Sequence, residues 1–282
     1  MMPRLPAIIL AAIIRCQHCG RPLFGYNGTM KLGDLDDYLQ ETLRIREFDR
    51  ADTALNGLQV GRKGSEIRRV ACAVDACMET FRRSVEAGAD LLFVHHGLFW
   101  GADMPLRRSH LQRIRYLLDN DLALYAVHLP LDAHPIHGNN ARIASRLGML
   151  ETAPFGNYHG VQIGCSGRLP DPLSIDEVLV ALKFDVEACA ALLPLDVERS
   201  STVGIVSGGA TREVEQAVEA RLDLYVTGDT SHMMYHCCLE ESINLLCAGH
   251  YQTETFGVTA IAELLQSTTD LETTFIDVPT GL

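Results

Sequence analysis

Imidazole and carboxylate side chains stand at or shortly after the ends of three apolar segments, LLFV, LALYAV and INLLCA. These side chains are His95 and His96, then Asp132, then His250 and Glu254. Imidazole nitrogens and carboxylate oxygens bind zinc, iron, manganese, cobalt or nickel, and they suit magnesium poorly. Three imidazoles and two carboxylates exceed what one four-coordinate ion needs. The set therefore predicts two divalent metal ions with a bridging carboxylate and positions open to water.

The spacing within each group supports this chemistry. Neighbouring residues of a strand face opposite sides, but a sharp turn at Gly97 would let both His95 and His96 approach one site. His250 and Glu254 are four residues apart and share a face if their segment is helical. In open α/β sheets the loops at the carboxyl ends of strands converge, so three strand ends would deliver these ligands to one edge.

Each of these residues has a simpler interpretation when it is taken alone. A histidine at a strand end is more often a hydrogen-bonded structural residue than a ligand. Asp132 alone is typical of a turn or cap, and Glu254 alone is typical of an acid that complements a helix dipole. The joint placement at three strand ends is what favours a metal site.

Further residues could assist such a site. His128 is a candidate sixth ligand or proton shuttle, and Asp229 in TGD is a second candidate shuttle. His134 and His137 follow Asp132 closely and could orient it, or they are ordinary polar loop residues.

Two other patterns have an equally simple alternative. His232 and His236 are spaced to share a helix face, which either lines the pocket or is solvated. The glycine pair in SGGA, residues 207–210, either cradles an anion through backbone amides or forms a tight structural turn.

The order of strands and helices predicts the fold that must position these residues. Apolar segments at 70–75, 91–94 and 122–127 alternate with amphipathic helical segments, which is typical of a parallel sheet covered on both faces. The segment YHGVQIGCSGRL alternates instead and predicts an antiparallel edge. We predict an α/β fold of two lobes, with mixed, largely parallel sheets covered by helices and the metal site in the cleft at the strand carboxyl ends.

The same pattern predicts the domain organisation. Residues 30–135 together with 245–282 would form the metal-binding lobe, and residues 136–244 would form a second α/β lobe. Residues 1–29 would be an extension outside the fold or the product of an over-early start codon, with a weak export signal as the alternative.

Composition and charge indicate which partners and which cellular location to expect. The formal charge of −12 disfavours a nonspecific nucleic-acid binder, because phosphate binding needs a positive surface. Nine cysteines, an odd number and several of them in apolar segments, are typical of a reduced protein and predict a cytoplasmic location. The apolar segment near the N-terminus is too short to span a bilayer, so we expect no membrane partner.

From about Lys31 onward the chain resembles the GTP cyclohydrolase I type 2 homologues, also called NIF-three-like proteins. The resemblance is carried by the segments NGLQVG, VHHGLFW, HLPLDAHPIHGNN, TGD, AGHYQTE and FIDVP. In its details the chain is similar to the compact bacterial members, which lack a large inserted domain.

This resemblance implies a two-lobed subunit with a dinuclear metal centre in the cleft, assembled as a toroidal homohexamer. The family's metal ligands fall on the HHG, PLD and GHxxTE motifs, at His95, His96, Asp132, His250 and Glu254. The family usually has Glu where Asp229 stands, and compact members often have a second His where Tyr251 stands. Neither position is a ligand in the pattern, so the departures concern substrate contacts.

The leading functional hypothesis is a metal-dependent hydrolase in which activated water attacks an electrophilic carbon or phosphorus of a small, nucleotide-like substrate. Taken literally, the family name implies attack on the imidazole ring carbon of GTP with release of formate. The alternative is a non-catalytic protein for metal handling, assembly or scaffolding. An open coordination position and a neighbouring pocket would distinguish the enzyme from this alternative.

Overall fold

The computed structural model describes residues 28–102 and 104–282. The strands are β1 (Met30–Lys31), β2 (Gly57–Val60), β3 (Glu66–Ile67), β4 (Arg69–Asp75), β5 (Leu91–His96), β6 (Ala123–Ala126), β7 (Leu150–Tyr158), β8 (Val161–Leu173), β9 (Ala191–Leu193), β10 (Ser200–Val206), β11 (Leu224–Thr227), β12 (Asn244–Cys247) and β13 (Glu272–Phe275). The α-helices are α1 (Leu32–Thr42), α2 (Met78–Glu86), α3 (Arg108–Asp119), α4 (Leu129–Ala133), α5 (Asn139–Arg146), α6 (Ile175–Leu182), α7 (Val214–Glu219), α8 (His232–Glu240) and α9 (His250–Thr268). Short 3₁₀ helices cover Ile45–Phe48 and Val186–Ala188.

A five-stranded sheet has the order β13-β4-β5-β6-β2. The first four strands of this order are parallel, and β2 pairs antiparallel at the edge. In the register of the sheet, Asp75 of β4 lies opposite His96 of β5, and Val94 lies opposite Ala126 of β6. The carboxyl ends of these strands therefore bring a carboxylate and the histidine pair to one edge.

A six-stranded sheet has the order β7-β8-β10-β11-β12-β9. Its three central strands, β10, β11 and β12, are parallel, while β7, β8 and β9 pair antiparallel. The mixed α/β fold is thus confirmed. The segment YHGVQIGCSGRL falls mainly in β8, which pairs antiparallel as predicted but lies between β7 and β10, so that β7 is the edge strand. A third, two-stranded sheet pairs β1 with β3.

Helix α9 connects the two large sheets. It begins directly after β12 of the six-stranded sheet, and its later turns pack on the five-stranded sheet. Val258, Ile261 and Leu265 are fully buried there against Val70 and Phe93. Each such side chain contributes about 1.5–3 kcal/mol of burial free energy. This packing holds the first turns of α9 at the carboxyl ends of both sheets.

The starts of helices α6 and α7 differ in their local structure. The capping box at α6 is present: Oγ of Ser174 accepts from the backbone N–H of Glu177 at 3.2 Å, and Oε2 of Glu177 accepts from the N–H of Ser174 at 2.9 Å. Helix α7 spans only Val214–Glu219, and the SGGA turn and the residues between it and the helix are irregular.

The large sheets draw their strands from 57–126 with 272–275, and from 150–247. The division of the chain into lobes stays a prediction. The extension predicted for residues 1–29 lies almost wholly outside the described residues. Within the described part of the chain, we find no helix with the length and apolar character needed to cross a bilayer.

Candidate metal centre

The structure brings the five residues of the predicted ligand set to one place, between the carboxyl ends of the two large sheets. Nε2 of His95 lies 3.5 Å from Oδ2 of Asp132 and 3.4 Å from Oε1 of Glu254. Nε2 of His96 lies 3.2 Å from Oε2 of Glu254, and Nε2 of His250 lies 3.2 Å from Oε1. Their role as ligands stays a prediction, but their donor atoms share one volume.

Three groups of donors among the described residues could hold a metal ion, with all donor atoms of a group within 4.8 Å of one another. One group is His95, Asp132 and Glu254, and a second is His96, His250 and Glu254. The third adds His128 to the histidine pair. Glu254 belongs to the first two groups and presents one oxygen to His95 and the other to His96.

The histidine pair reaches the centre without the expected sharp turn at Gly97. Both His95 and His96 belong to β5, and Gly97 does not adopt a positive φ. A Cβ at Gly97 would instead lie 2.3 Å from the side-chain amide of Gln59 and 2.6 Å from Cβ of Ala126. Glycine is needed here for close packing of the chain, and the two imidazoles approach different oxygens of one carboxylate.

The first turns of α9 supply the other imidazole. His250 and Glu254 are four residues apart at its start and lie on one face, as their spacing indicates. Gly208, in the SGGA turn, has φ of +65° and faces them. A Cβ at Gly208 would lie 2.2 Å from Oε1 of Glu254, so the site needs glycine at this position.

Each of the three imidazoles is anchored through Nδ1. Nδ1 of His95 donates to the carbonyl of Val127 at 2.9 Å. Nδ1 of His96 donates to Oδ1 of Asp75 at 2.9 Å, and Nδ1 of His250 donates to Oδ1 of Asp229 at 3.0 Å. A carbonyl oxygen can only accept, so the Nδ1 of His95 carries its proton. This pattern leaves each Nε2 as the nitrogen available to a metal.

Asp132 is held by two neutral donors. Nδ2 of Asn139 donates to its Oδ1 at 2.9 Å, and Oγ of Ser207 donates to the same oxygen at 2.8 Å. Both donors are buried. Oδ2 is thereby left to face His95.

The pKa of each ionisable group described next depends on the charges of its neighbours in the centre. Burial lowers the pKa of His95, but Asp132 and Glu254 raise it to about 10. Burial likewise lowers the pKa of His250, but Glu254 and Asp229 raise it to about 9. Burial raises the pKa of Glu254, yet the imidazoles of His95 and His96 lower it well below its usual range. A buried carboxylate here thus requires positive charge around it.

Two of the four buried side-chain atoms that have no hydrogen-bond partner among the described residues belong to the cluster, Nε2 of His95 and Oε2 of Glu254. Unpaired polar atoms are rare in protein interiors because they forfeit their contacts with water. Both atoms point into the donor cluster, where a cation would satisfy them. The residues present therefore fit a divalent metal.

The remaining candidates divide into those at the centre and those away from it. Nδ1 of His128 donates to Oδ1 of the buried Asp52 at 2.9 Å, and the His128 ring centroid lies 5.1 Å from that of His95. Asp229 contacts His250. Both candidate proton shuttles thus line the centre.

The loop histidines and the α8 histidines do not join the cluster. The ring of His134 donates from Nε2 to the carbonyl of Thr42 at 3.0 Å, and its Nδ1 accepts from the backbone of His137 at 2.9 Å. His232 and His236 are exposed on α8. The backbone N–H of Gly208 in SGGA donates to Oγ1 of Thr253 at 3.1 Å, which favours the structural-turn interpretation.

Four supporting residues are absent from the predicted set: Asp52, Asp75, Asn139 and Ser207. Asp75 could have been found, because it ends an apolar strand that neighbours the histidine strand. Asp52 and Asn139 have no such signal, since each acts through a contact that only the folded chain creates.

A cavity of about 640 Å³ opens beside the donor cluster. His96, Asp132, His250 and Glu254 form part of its wall. Aromatic side chains contribute as well, from Trp100 and Tyr158. A small molecule can therefore reach the metal donors from one side.

Similar proteins are known. A relative from Treponema pallidum (strain Nichols), named GTP cyclohydrolase 1 type 2 homolog, is 40% identical, with 90% of this chain and 100% of the relative covered. The solved structure of protein ybgI, of unknown function, is 32% identical with a TM-score of 0.81, covering 90% of this chain and 100% of that one. TTHA1606 from Thermus thermophilus is 38% identical with a TM-score of 0.79, at the same coverage of 90% and 100%.

The family model described as Duf34/NIF3 (NGG1p interacting factor 3) matches residues 30–281, nearly the whole described chain. The matched range contains every residue of the donor cluster. The chain therefore belongs to the Duf34/NIF3 family.

Proposed function

We propose that this protein is a dinuclear metal-dependent hydrolase of a small substrate. The observation that carries the proposal is the position of Glu254, which belongs to two donor groups at once and faces His95 with Oε1 and His96 with Oε2. One ion would be held by His95, Asp132 and Glu254, and the other by His96, His250 and Glu254. The mixed nitrogen and oxygen donors suit zinc, iron, manganese, cobalt or nickel.

Divalent ions in such a site supply Lewis acidity and lower the pKa of a water ligand toward neutrality. The protein's part is to orient donors and handle protons. Asp75 and Asp229 fix the rings of His96 and His250, which keeps each Nε2 directed at the centre. Of the two shuttle candidates, His128 is favoured, because Asp229 is already engaged with His250.

His128 is well placed to hold a proton. Its Nδ1 donates to Asp52, whose side chain is almost fully buried, so Nε2 is its free ring nitrogen. Its ring also packs edge-on against Trp100, with centroids 4.9 Å apart. A fixed imidazole beside the cavity can accept a proton from water and return it to a leaving group.

The cavity distinguishes this proposal from a purely metal-handling role. A storage or scaffold site would tolerate a closed cleft, whereas an enzyme needs space for substrate beside the ions. The cavity of about 640 Å³ is large enough for a small organic molecule.

The test compares metal content and turnover in matched variants. His96→Ala removes one donor and should lose metal together with hydrolysis of any substrate found in a screen of the metal-loaded protein. His232→Ala removes an exposed imidazole on α8 and should retain both. Undiminished turnover in metal-free protein would contradict the proposal.

We also propose a homohexamer, which the family resemblance implies, and a location in the cytoplasm, which the free cysteines favour. The chain has a mass of 31.0 kDa, so light scattering after gel filtration should give a mass six times larger. A monomeric mass would exclude the hexamer without bearing on the metal centre.

A further inference from the structure

The cavity beside the metal centre is acidic. Its wall carries the carboxylates of Asp52, Asp75, Asp132, Glu213, Asp229 and Glu254. Neither a lysine nor an arginine lines it among the residues that the structure describes. Proteins that bind polyphosphates without such side chains must rely on metal ions or on backbone amides.

Bound divalent metal ions would not make the net charge of the cavity positive. Six carboxylates contribute −6, and two divalent ions contribute +4, which leaves −2 with the imidazoles neutral. Fewer ions leave the cavity more negative still. A nucleoside triphosphate would add about four further negative charges to this enclosed space, and their repulsion is strong where water is partly excluded.

Two backbone amides next to the cluster are also engaged. The N–H of Gly208 donates to Thr253, and the N–H of Tyr251, in the first turn of α9, donates to the carbonyl of Leu282 at 3.1 Å. These amides are therefore not available to phosphate oxygens.

What the cavity does offer is an aromatic surface. Trp100 and Tyr158 line it, and the indole N–H of Trp100 already donates to the carbonyl of Gly97 at 3.1 Å. The indole thus presents its ring rather than a donor to a ligand. Planar rings stack on such a surface, and a positively charged ring or amine gains further from the acidic wall.

We infer that the cavity accepts an uncharged or cationic heteroaromatic compound and rejects nucleoside phosphates. The inference rests on the proposed function in one respect, that this cavity is where the substrate binds. It differs from the activity on GTP that the relatives' name states, because GTP is negatively charged and the wall of the cavity is acidic.

The test uses Trp100, which is the one tryptophan of the chain. Metal-loaded protein is titrated with guanosine, GMP and the magnesium complex of GTP, and quenching of indole fluorescence reports occupancy without requiring turnover. Guanosine should bind on the order of tenfold more tightly than either phosphate ester, since each phosphate group adds negative charge beside the acidic wall. Equal or tighter binding of GTP would overturn the inference, and so would the absence of quenching by guanosine.

A charge reversal sharpens the result. Glu213→Lys places a cation in the cavity wall and should improve binding of GMP relative to guanosine by on the order of tenfold. Glu215→Lys makes the same change at an exposed position two residues away and should leave that ratio unchanged. An identical shift in both variants would mean that bulk charge, not the cavity, decides the preference, which would also overturn the inference.

The two proposals fail in different ways. If no compound is hydrolysed but guanosine binds in preference to its phosphates, the hydrolase assignment fails and the inference about charge stands. If metal-dependent turnover is found and GTP is the preferred ligand, the hydrolase assignment stands and the inference fails.

Discussion

Glu254 and His95 approach to 3.4 Å, Oε1 to Nε2, and yet the histidine nitrogen forms no hydrogen bond. Both side chains are buried, and the pKa of each is displaced by the charge of the other. Two buried polar groups that meet without a hydrogen bond leave room for a third partner between them. A cation is the partner that satisfies both, and the following predictions test what such a centre requires.

Glu254→Gln keeps the shape of the side chain but removes its charge. We expect the metal content, measured by mass spectrometry after gel filtration, to fall from about two ions per chain to below one, because both donor groups lose their shared carboxylate. Glu263→Gln is the matched control, since Glu263 lies on the exposed face of α9 and pairs with Arg142. Two ions retained by the Glu254 variant would contradict the bridging role.

Asp75→Asn tests the support of an imidazole. The amide oxygen can still accept from Nδ1 of His96 but carries no negative charge, so the hydrogen bond weakens and the ring loses part of its basicity. Metal affinity should weaken by about 10–100-fold without being abolished. Competition with a calibrated chelator measures this change, and Asp49→Asn, at an exposed position, provides the control. Unchanged affinity would show that the contact at 2.9 Å does not tune the metal site.

Gly208→Ala tests the space beside the metal centre. The new Cβ would lie 2.2 Å from Oε1 of Glu254, so the carboxylate must move away from its position between the imidazoles. We expect loss of metal together with a decrease in the free energy of unfolding. Gly160→Ala is the matched control. Gly160 also has a positive φ, but a Cβ at this position would meet no atom within 4 Å.

Both alanine variants share a cost of about 1–2 kcal/mol for the left-handed backbone. Urea unfolding measures that shared cost, and metal analysis isolates the effect specific to Gly208. Normal metal content in Gly208→Ala would show that the glycine serves the turn alone.

Asp90 provides a pH-dependent contribution to stability, remote from the metal centre. Burial raises its pKa, but the backbone N–H groups of Arg68 and Arg69 and the guanidinium of Arg62 lower it by more. As the pH falls, the unfolded chain takes up this proton before the folded chain does. The contribution is therefore present above about pH 4 and is lost as the pH falls through the lower pKa of the folded state.

Asp90→Asn should reduce the free energy of unfolding at neutral pH by about 1–3 kcal/mol, because charge-assisted hydrogen bonds are lost. The difference from the unmodified protein should shrink below about pH 4, as measured by urea unfolding across that range. Asp119→Asn changes an exposed residue at the end of α3 and should show little difference at either pH. A pH-independent difference would mean that Asp90 acts through packing rather than charge.

Much of the fold follows from the order of residues. Continuous apolar segments such as VACAVD and LLFV require burial on both faces, and their alternation with helices leads to parallel strands. Parallel neighbours end at the same edge, so His95 and His96 at the end of β5 and Asp132 shortly after β6 had to lie near each other. His250 and Glu254 share a helix face through local geometry alone.

Other features arise only when segments that are distant in the sequence are packed together. Oγ of Ser207 reaches Asp132 across 75 positions of the chain, and His128 meets Asp52 across 76. The first contact joins the two large sheets, whereas the second joins loops that flank β2 and β6 of the five-stranded sheet. The periodicity of apolar residues indicates which face of a strand or helix is buried. It does not indicate which distant side chain will lie opposite that face.

The types of the candidate metal donors and the strand ends near which they lie were thus determined by the sequence itself. The orientation of each imidazole, the two-sided position of Glu254 and the acidic cavity were decided by tertiary structure. The physical reason is that a strand end fixes where a side chain begins, whereas hydrogen bonds from remote segments fix where its reactive atom points.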